Sequence, residues 1–196
     1  MRINDAFRLD HVDAARSIVR QHPFATIVTE DLRATHMPCL LDESDHDGLT
    51  ILGHVACADP VSQALGGVVL LIFHGPHGYV SASWYESETI PTWNHVTLHA
   101  RGTPELLGDA LPILRATVDR FEAAVERPWS LDRMGETARE MAGQVVAFRL
   151  RADRWHAEAK LSQDEPEDER ARVLAGLERP GPYASAPLAA AMRALR

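Results

Sequence analysis

Hydrophobic positions recur at helical spacing near the start, in the middle and towards the end of the chain, and between those stretches they recur at every second position or in short unbroken runs. Val12, Ala15, Ile18 and Val19 share one face of an opening helix, with Asp10 as the expected N-cap and His22-Pro23 as the stop. Phe24–Thr29 and residues 35–41 and 49–55 are rich in β-branched side chains and separated by polar or Gly-containing turns, which predicts three antiparallel strands. Asp59 before Pro60 predicts a short helical segment over 61–65, closed by Gly66-Gly67. Residues 68–73 are apolar throughout, as a strand covered on both faces would be, and Gly75-Pro76 is expected to turn the chain into a hairpin partner at 79–85.

In that partner, Tyr79, Ser81, Ser83 and Tyr85 fall on one face and Val80, Ala82 and Trp84 on the other. Residues 94–101 alternate likewise, with Val96, Leu98 and Ala100 opposite His95, Thr97, His99 and Arg101, and Trp93 leading in. Leu111, Leu114, Val118, Phe121 and Val125 then define a helix opening at Asp109 that should lie as a lid on the sheet, with Pro112 tolerated in its first turn. Two more strands at 145–150 and Arg154–Lys160, an acid-headed helix opening at 164–169 and an Ala-rich helix at 185–195 complete the chain. Neither internal repeats nor parallel βαβ units are visible. The expected fold is mainly β with helices (α+β): an antiparallel, Greek-key-like split β-barrel over residues 1–160, including the opening helix and a lid near 109–126, followed by a helical extension at 161–196.

Charge narrows the partners. Twenty Lys and Arg against 28 Asp and Glu give a net charge of -8 and an acidic isoelectric point, and the Arg residues are scattered, so direct nucleic-acid contact is not expected. The first residues lead into no apolar signal segment and 68–73 is too short to span a bilayer, so neither secretion nor membrane insertion is expected. Cys39 and Cys57 are too few for a disulfide framework and are expected to be buried free thiols, which fits the cytoplasm.

The run from His74 to Tyr85, followed by Pro91-Thr92-Trp93-Asn94 and His99, resembles the PaiB-like family of FMN-binding transcriptional regulators. Ala25-Thr26, Thr35-His36-Met37-Pro38, Gly53-His54-Val55-Ala56 and Lys160-Leu161-Ser162-Gln163 extend the resemblance, in order, over most of the chain. It implies a flavin-binding split barrel related to pyridoxamine-phosphate oxidase: a homodimer with the isoalloxazine ring in a groove between subunits. It also implies a cofactor site drawn from Thr35, His36, Pro38, His54, Ser81, Ser83, Trp84, Tyr85, Trp93, Asn94, Lys160, Ser162 and Gln163. Cys57 and Asp59 stand where the family carries a basic residue and Asn, and Glu158 where it carries a second lysine, so a weaker hold on the FMN phosphate is expected.

The residue types agree with such a ligand. Thr35, His36, His54, Ser81, Ser83 and Lys160 could meet phosphate or ribityl, Trp84, Tyr85 and Trp93 could wall the ring, and Asn94 and Gln163 could read its edge. Each also has a structural reading: hydroxyls solvated on a strand, tryptophans as core or interface anchors, imidazoles satisfied inside a polar core. Ten histidines raise a metal site, but His95 and His99 lie ~13 Å apart if extended, and His74 and His77, which could converge across their turn, lack a nearby acidic or thiol partner. Haem held by one histidine is the alternative cofactor. The functions in view are a flavin-dependent oxidoreductase of weak activity, a negative regulator acting indirectly, and a haem-binding protein or a ligand-binding dimer that has lost tight flavin binding.

Overall fold

The computed structural model describes residues 5–195; the polar start at 1–4 lies outside them. Among the described residues nine strands form two antiparallel sheets. The first orders β2(Ala34–Pro38), β1(Phe24–Thr29), β5(Val69–Val80), β6(Thr92–Gly102) and β9(Arg154–Lys160). The second orders β3(Leu40–Leu41), β4(Thr50–Ala56), β8(Val145–Arg151) and β7(Glu105–Leu107). The main core lies between them, with Phe73, Phe148, Ile27, Ile51 and Leu98 among its fully buried side chains. Ala15, Ile18 and Val19 of α1(Val12–Gln21) join that core, as the opening apolar stripe requires. Arg16, on the same helix, is buried and donates to the carbonyls of Asp45 and Gly48, so α1 and the turn before β4 are held together by a charged group whose donors are used.

The fold class is the one the alternating runs predict, a split β-barrel with helices, but several elements differ. The helix α1 starts after His11, which makes no side-chain cap; Asp10 instead pairs with Arg8 at 2.6 Å. The single strand expected at 35–41 is broken at Cys39, so β2 and β3 belong to different sheets. Gly75-Pro76 makes no hairpin turn. β5 runs straight through it as a 12-residue strand, with a bulge that sets Gly75 and Pro76 against Val96 of β6. Glycine is needed there because a Cβ would come within 2.9 Å of the Val96 Cβ, and proline is tolerated because a bulge leaves its missing N–H unneeded. The expected strand 79–85 therefore ends at Val80, and Ala82–Trp84 is a short 3-10 turn capped by Ser81.

The lid α2(Leu111–Glu122) is shorter than expected, and its predicted stripe is not its buried one. Phe121 and Val125 are exposed, while Ile113 and the preceding Ala110 pack onto Ala147 of β8, with Leu52 of β4 alongside. α3(Glu136–Ala142), unforeseen in the sequence pattern, adds Ala142 to this third cluster. α4(Glu167–Glu178) and α5(Ala186–Ala194), the latter capped by Ser185, bury Val173, Leu177, Leu188 and Met192 against Val80, Ala159 and Leu161. The two thiols differ: Cys39 is buried, and burial pushes its pKa up to about 12, whereas Cys57 is exposed, contrary to expectation. No helix among the described residues is long and apolar enough to cross a membrane.

Candidate functional site

Register decides what the five-stranded sheet presents on its outer side. Directly opposed residues share a face, and the pairing aligns His36, Thr26, Ile72, His99 and His156 in one row across five strands. The next row carries His74, Thr97 and Glu158, the next His77, His95 and Lys160, and the last Tyr79 and Trp93. The bulge is what brings His77 back to the side of His74, since residues three apart on a regular strand face opposite ways. Six imidazoles thus stand on one face. They are joined by the facing Arg101 and Arg154, by Phe24, 63% exposed, and by Trp93, 51% exposed. The proposed convergence of His74 and His77 across a turn is replaced by a line along one strand, and no cluster suited to a metal ion occurs among the described residues.

Within this face Glu158 is the focal charge. His156 Nε2 lies 2.9 Å from one of its oxygens and His95 Nε2 lies 3.6 Å from the other. Burial pushes its carboxyl up, but hydrogen bonds and charge from His156 and His95 outweigh that and hold it below the ordinary carboxylate range. Both Glu158 oxygens thus face imidazoles of the same sheet face. His99 goes the other way: burial, then the charges of His156 and His74, keep its pKa below the usual imidazole value despite Glu158. Lys160 donates to Thr92 Oγ1 and lies 5.9 Å over the Phe7 ring. The rings at this end form a ladder: His77 stacks on Trp93 at 6.0 Å, Trp93 meets Tyr79 at 6.4 Å, and Tyr79 meets Tyr183 at 4.7 Å.

A second group of the expected residues lies where β5 and β6 meet the C-terminal helices. Ser81 and Ser83 are not on a strand face; their hydroxyls lie 2.8 Å apart in the 3-10 turn. Trp84 and Tyr85 pack on the cluster of α4 and α5, and Gly176 makes room for the Trp84 indole, which a Cβ would approach to 2.4 Å. Asn94 is fully buried, donates to Ser162 Oγ at 2.9 Å and leaves its Oδ1 without a hydrogen-bond partner. Ser162 holds a left-handed backbone, φ 59°. Gln163 is a clamp: its Oε1 accepts from Leu161 N at 2.7 Å and its Nε2 donates to the carbonyls of Ala159 and Ala6.

Other expected residues stand apart from both groups. His54 belongs to β4 of the second sheet; it is buried on the side of α2, with Nδ1 unpartnered, and burial lowers its pKa. Thr35 opposes the buried Ile27, while Pro38 opposes Phe24 at the margin of the open face. Cys57 follows β4, its Sγ 3.9 Å from the Gly143 carbonyl, and Asp59 caps the next 3-10 turn by accepting from Val61 N at 2.8 Å. The open face therefore gathers His36, Pro38, Trp93 and Lys160. It adds Tyr79, His74, His77, His95, His99, His156 and Glu158, of which the sequence reading had assigned none to the cofactor. The signal for most of them was present in the period-two alternation of β6 and β9, but the bulge in β5 hid the register that aligns them.

Exposed ring surface beside imidazole, ammonium and guanidinium donors suits a planar anionic ligand, and known proteins point the same way. A family model described as "Putative FMN-binding domain" matches residues 1–154. "Protease synthase and sporulation protein PAI 2" of Bacillus subtilis is 29% identical over 187 residues, covering 91% of this chain and 89% of that protein. Among solved structures, the flavocytochrome Anf3 of Azotobacter vinelandii superposes with a TM-score of 0.61 at 14% identity, covering 97% of this chain and 78% of that one. An FAD- and heme-binding protein of Mycobacterium smegmatis gives 0.57 at 17% identity, covering 84% and 78%. At such identities the structural matches establish the split-barrel fold. With the family model spanning most of the barrel, the chain belongs to the FMN-binding domain family.

Proposed function

We propose that this protein holds FMN on the open face of the five-stranded sheet, with a second copy of the chain closing the site. The observation that carries this reading is the coincidence, on one sheet face, of the exposed Trp93 ring and the half-buried Tyr79 ring with His77, His95 and Lys160. Trp93 and Tyr79 serve as the wall for the isoalloxazine, and the imidazoles and ammonium supply donors at its edge. A half-exposed tryptophan and a 63% exposed phenylalanine on a sheet face are also what an isologous interface buries. When bound, the flavin supplies hydride and electron transfer. The chain's contribution is to position the ring, exclude water and set the His156–Glu158–His95 group on the same face.

Residues 161–196 are read as an extension of the 1–160 barrel that braces Trp84 and Tyr85. Any effect on transcription runs through the ligand or another protein: the net charge of -8 opposes DNA contact. A cytoplasmic site fits the free thiols. Haem is the second reading, favoured by the imidazoles lining the same face. An absorbance scan of purified protein separates the two, flavin bands supporting the first reading and a Soret band the second. Titration with FMN and with riboflavin, alongside sedimentation, tests the site: saturable binding to a dimer supports it, and a monomer that binds neither contradicts it.

A further inference from the structure

The ring ladder that starts on the open face ends at a cleft. Beyond Tyr183 lies a cavity of about 260 Å³ lined by Ser81, Ser83, Trp84, Arg179 and Tyr183, and no carboxylate is among its lining residues. Arg179 is exposed and enters no ion pair among the described residues, while the adjacent Glu178 is taken up by Arg193. Ser81 and Ser83 share one O–H···O bond at 2.8 Å; whichever hydroxyl donates in it, the other keeps a free proton to donate outward. The walls are fixed in advance. Pro180 and Pro182 restrict the backbone of the segment after α4, Ser185 N ties that segment to Leu177 O at 2.9 Å, and the indole of Trp84 is seated against Gly176.

We propose that this cleft is a phosphate subsite, with Arg179 as its cation and the Ser81–Ser83 pair as its hydroxyl donor. It takes the phosphate end of a ligand whose ring system lies on Trp93 and Tyr79. The proposal rests on the flavin reading and deepens it. Its cation comes from a residue beyond the matched stretch 1–154. A guanidinium meeting a phosphate gives charge-assisted, bidentate bonds, whereas riboflavin, which lacks the phosphate, gains nothing from Arg179.

The test uses the full chain and three probes: FMN, riboflavin and inorganic phosphate. Arg179→Gln should weaken FMN about tenfold or more and leave riboflavin unchanged, with Ser81→Ala giving a smaller loss in the same pattern. Equal losses for both flavins, or no loss for FMN, overturn the subsite. Should neither flavin bind, the flavin reading falls, and phosphate alone decides the cleft. A shift of the Trp84 indole N–H resonance on adding phosphate, abolished by Arg179→Gln, supports the subsite. A shift that is absent, or that survives the substitution, overturns it.

Discussion

The outer faces of the two sheets meet opposite fates. On the four-stranded sheet, β4 and β8 carry Leu52, His54 and Ala147 outward, and the chain covers them itself with α2 and α3 through Ala110, Ile113 and Ala142. On the five-stranded sheet, β5, β6 and β9 carry imidazoles, arginines and aromatic rings outward, and Phe24, His74, Trp93 and Arg101 stay exposed. Both faces follow the same period-two alternation; what differs is the chemistry placed on it. Small apolar residues take a helix of the same chain, while rings and donors leave the other face open, the face on which the proposed flavin and second copy would sit.

Breaking the covered face should cost the most stability. Ile113→Ala removes the side chain that seats α2 on Ala147 and is expected to cost about 2–5 kcal/mol, read from the denaturant midpoint, with flavin affinity unchanged. Breaking the open face should do the reverse. Trp93→Ala loses little stability, because the indole is half exposed, but is expected to weaken flavin by about 2 kcal/mol, roughly thirtyfold, and to loosen the dimer in sedimentation. A stable, flavin-competent Trp93→Ala protein would mean that the ring lies elsewhere.

How far the sequence carried these conclusions differs between the same two regions. Strands β1 and β4 were legible as runs rich in β-branched residues and β6 from its alternation, β8 and β9 followed as further strand candidates, and the motif residues named the family. The open face was legible only in fragments. Gly75-Pro76 carries the composition of a turn, and only the packing of Gly75 on Val96 makes it a bulge. With the hairpin assumed, Ser81 and Ser83 fell on a strand face and His77 left the row it shares with His95. On the covered side, the stripe ending in Phe121 and Val125 looked like a lid contact because helical periodicity does not say which of two faces the tertiary structure buries.

Acid should act on both faces in the same direction. His99 and His54 are held below the ordinary value of 6.5 chiefly by burial, so the unfolded chain takes up protons first as the pH falls. Their contribution is complete above pH 6.5 and is lost as the pH drops through the lowered folded values. Thermal midpoints measured from about pH 8 to pH 5 should decline on the acid side. His54→Leu and His99→Gln should each flatten that decline, His54→Leu the more because its ring is the more buried. The smallest effect belongs to Cys57→Arg. Its side chain lies at the end of β4 and not on the open face, so FMN and riboflavin affinities should each change less than about twofold, measured by fluorescence titration. A gain specific to FMN would instead place the phosphate beside β4.

The contrast between the faces is tested most directly by hydroxyl-radical footprinting with and without FMN, because each side carries oxidisable exposed residues: Trp93 and Phe24 on the five-stranded face, Trp129, Phe121 and Met141 around α2 and α3. FMN binding and the proposed dimer formation should protect Trp93, Tyr79 and Phe24 while Trp129, Phe121 and Met141 oxidise as before. Protection of Trp129 and Met141 with Trp93 unchanged would contradict this and move the flavin to the covered side of the barrel.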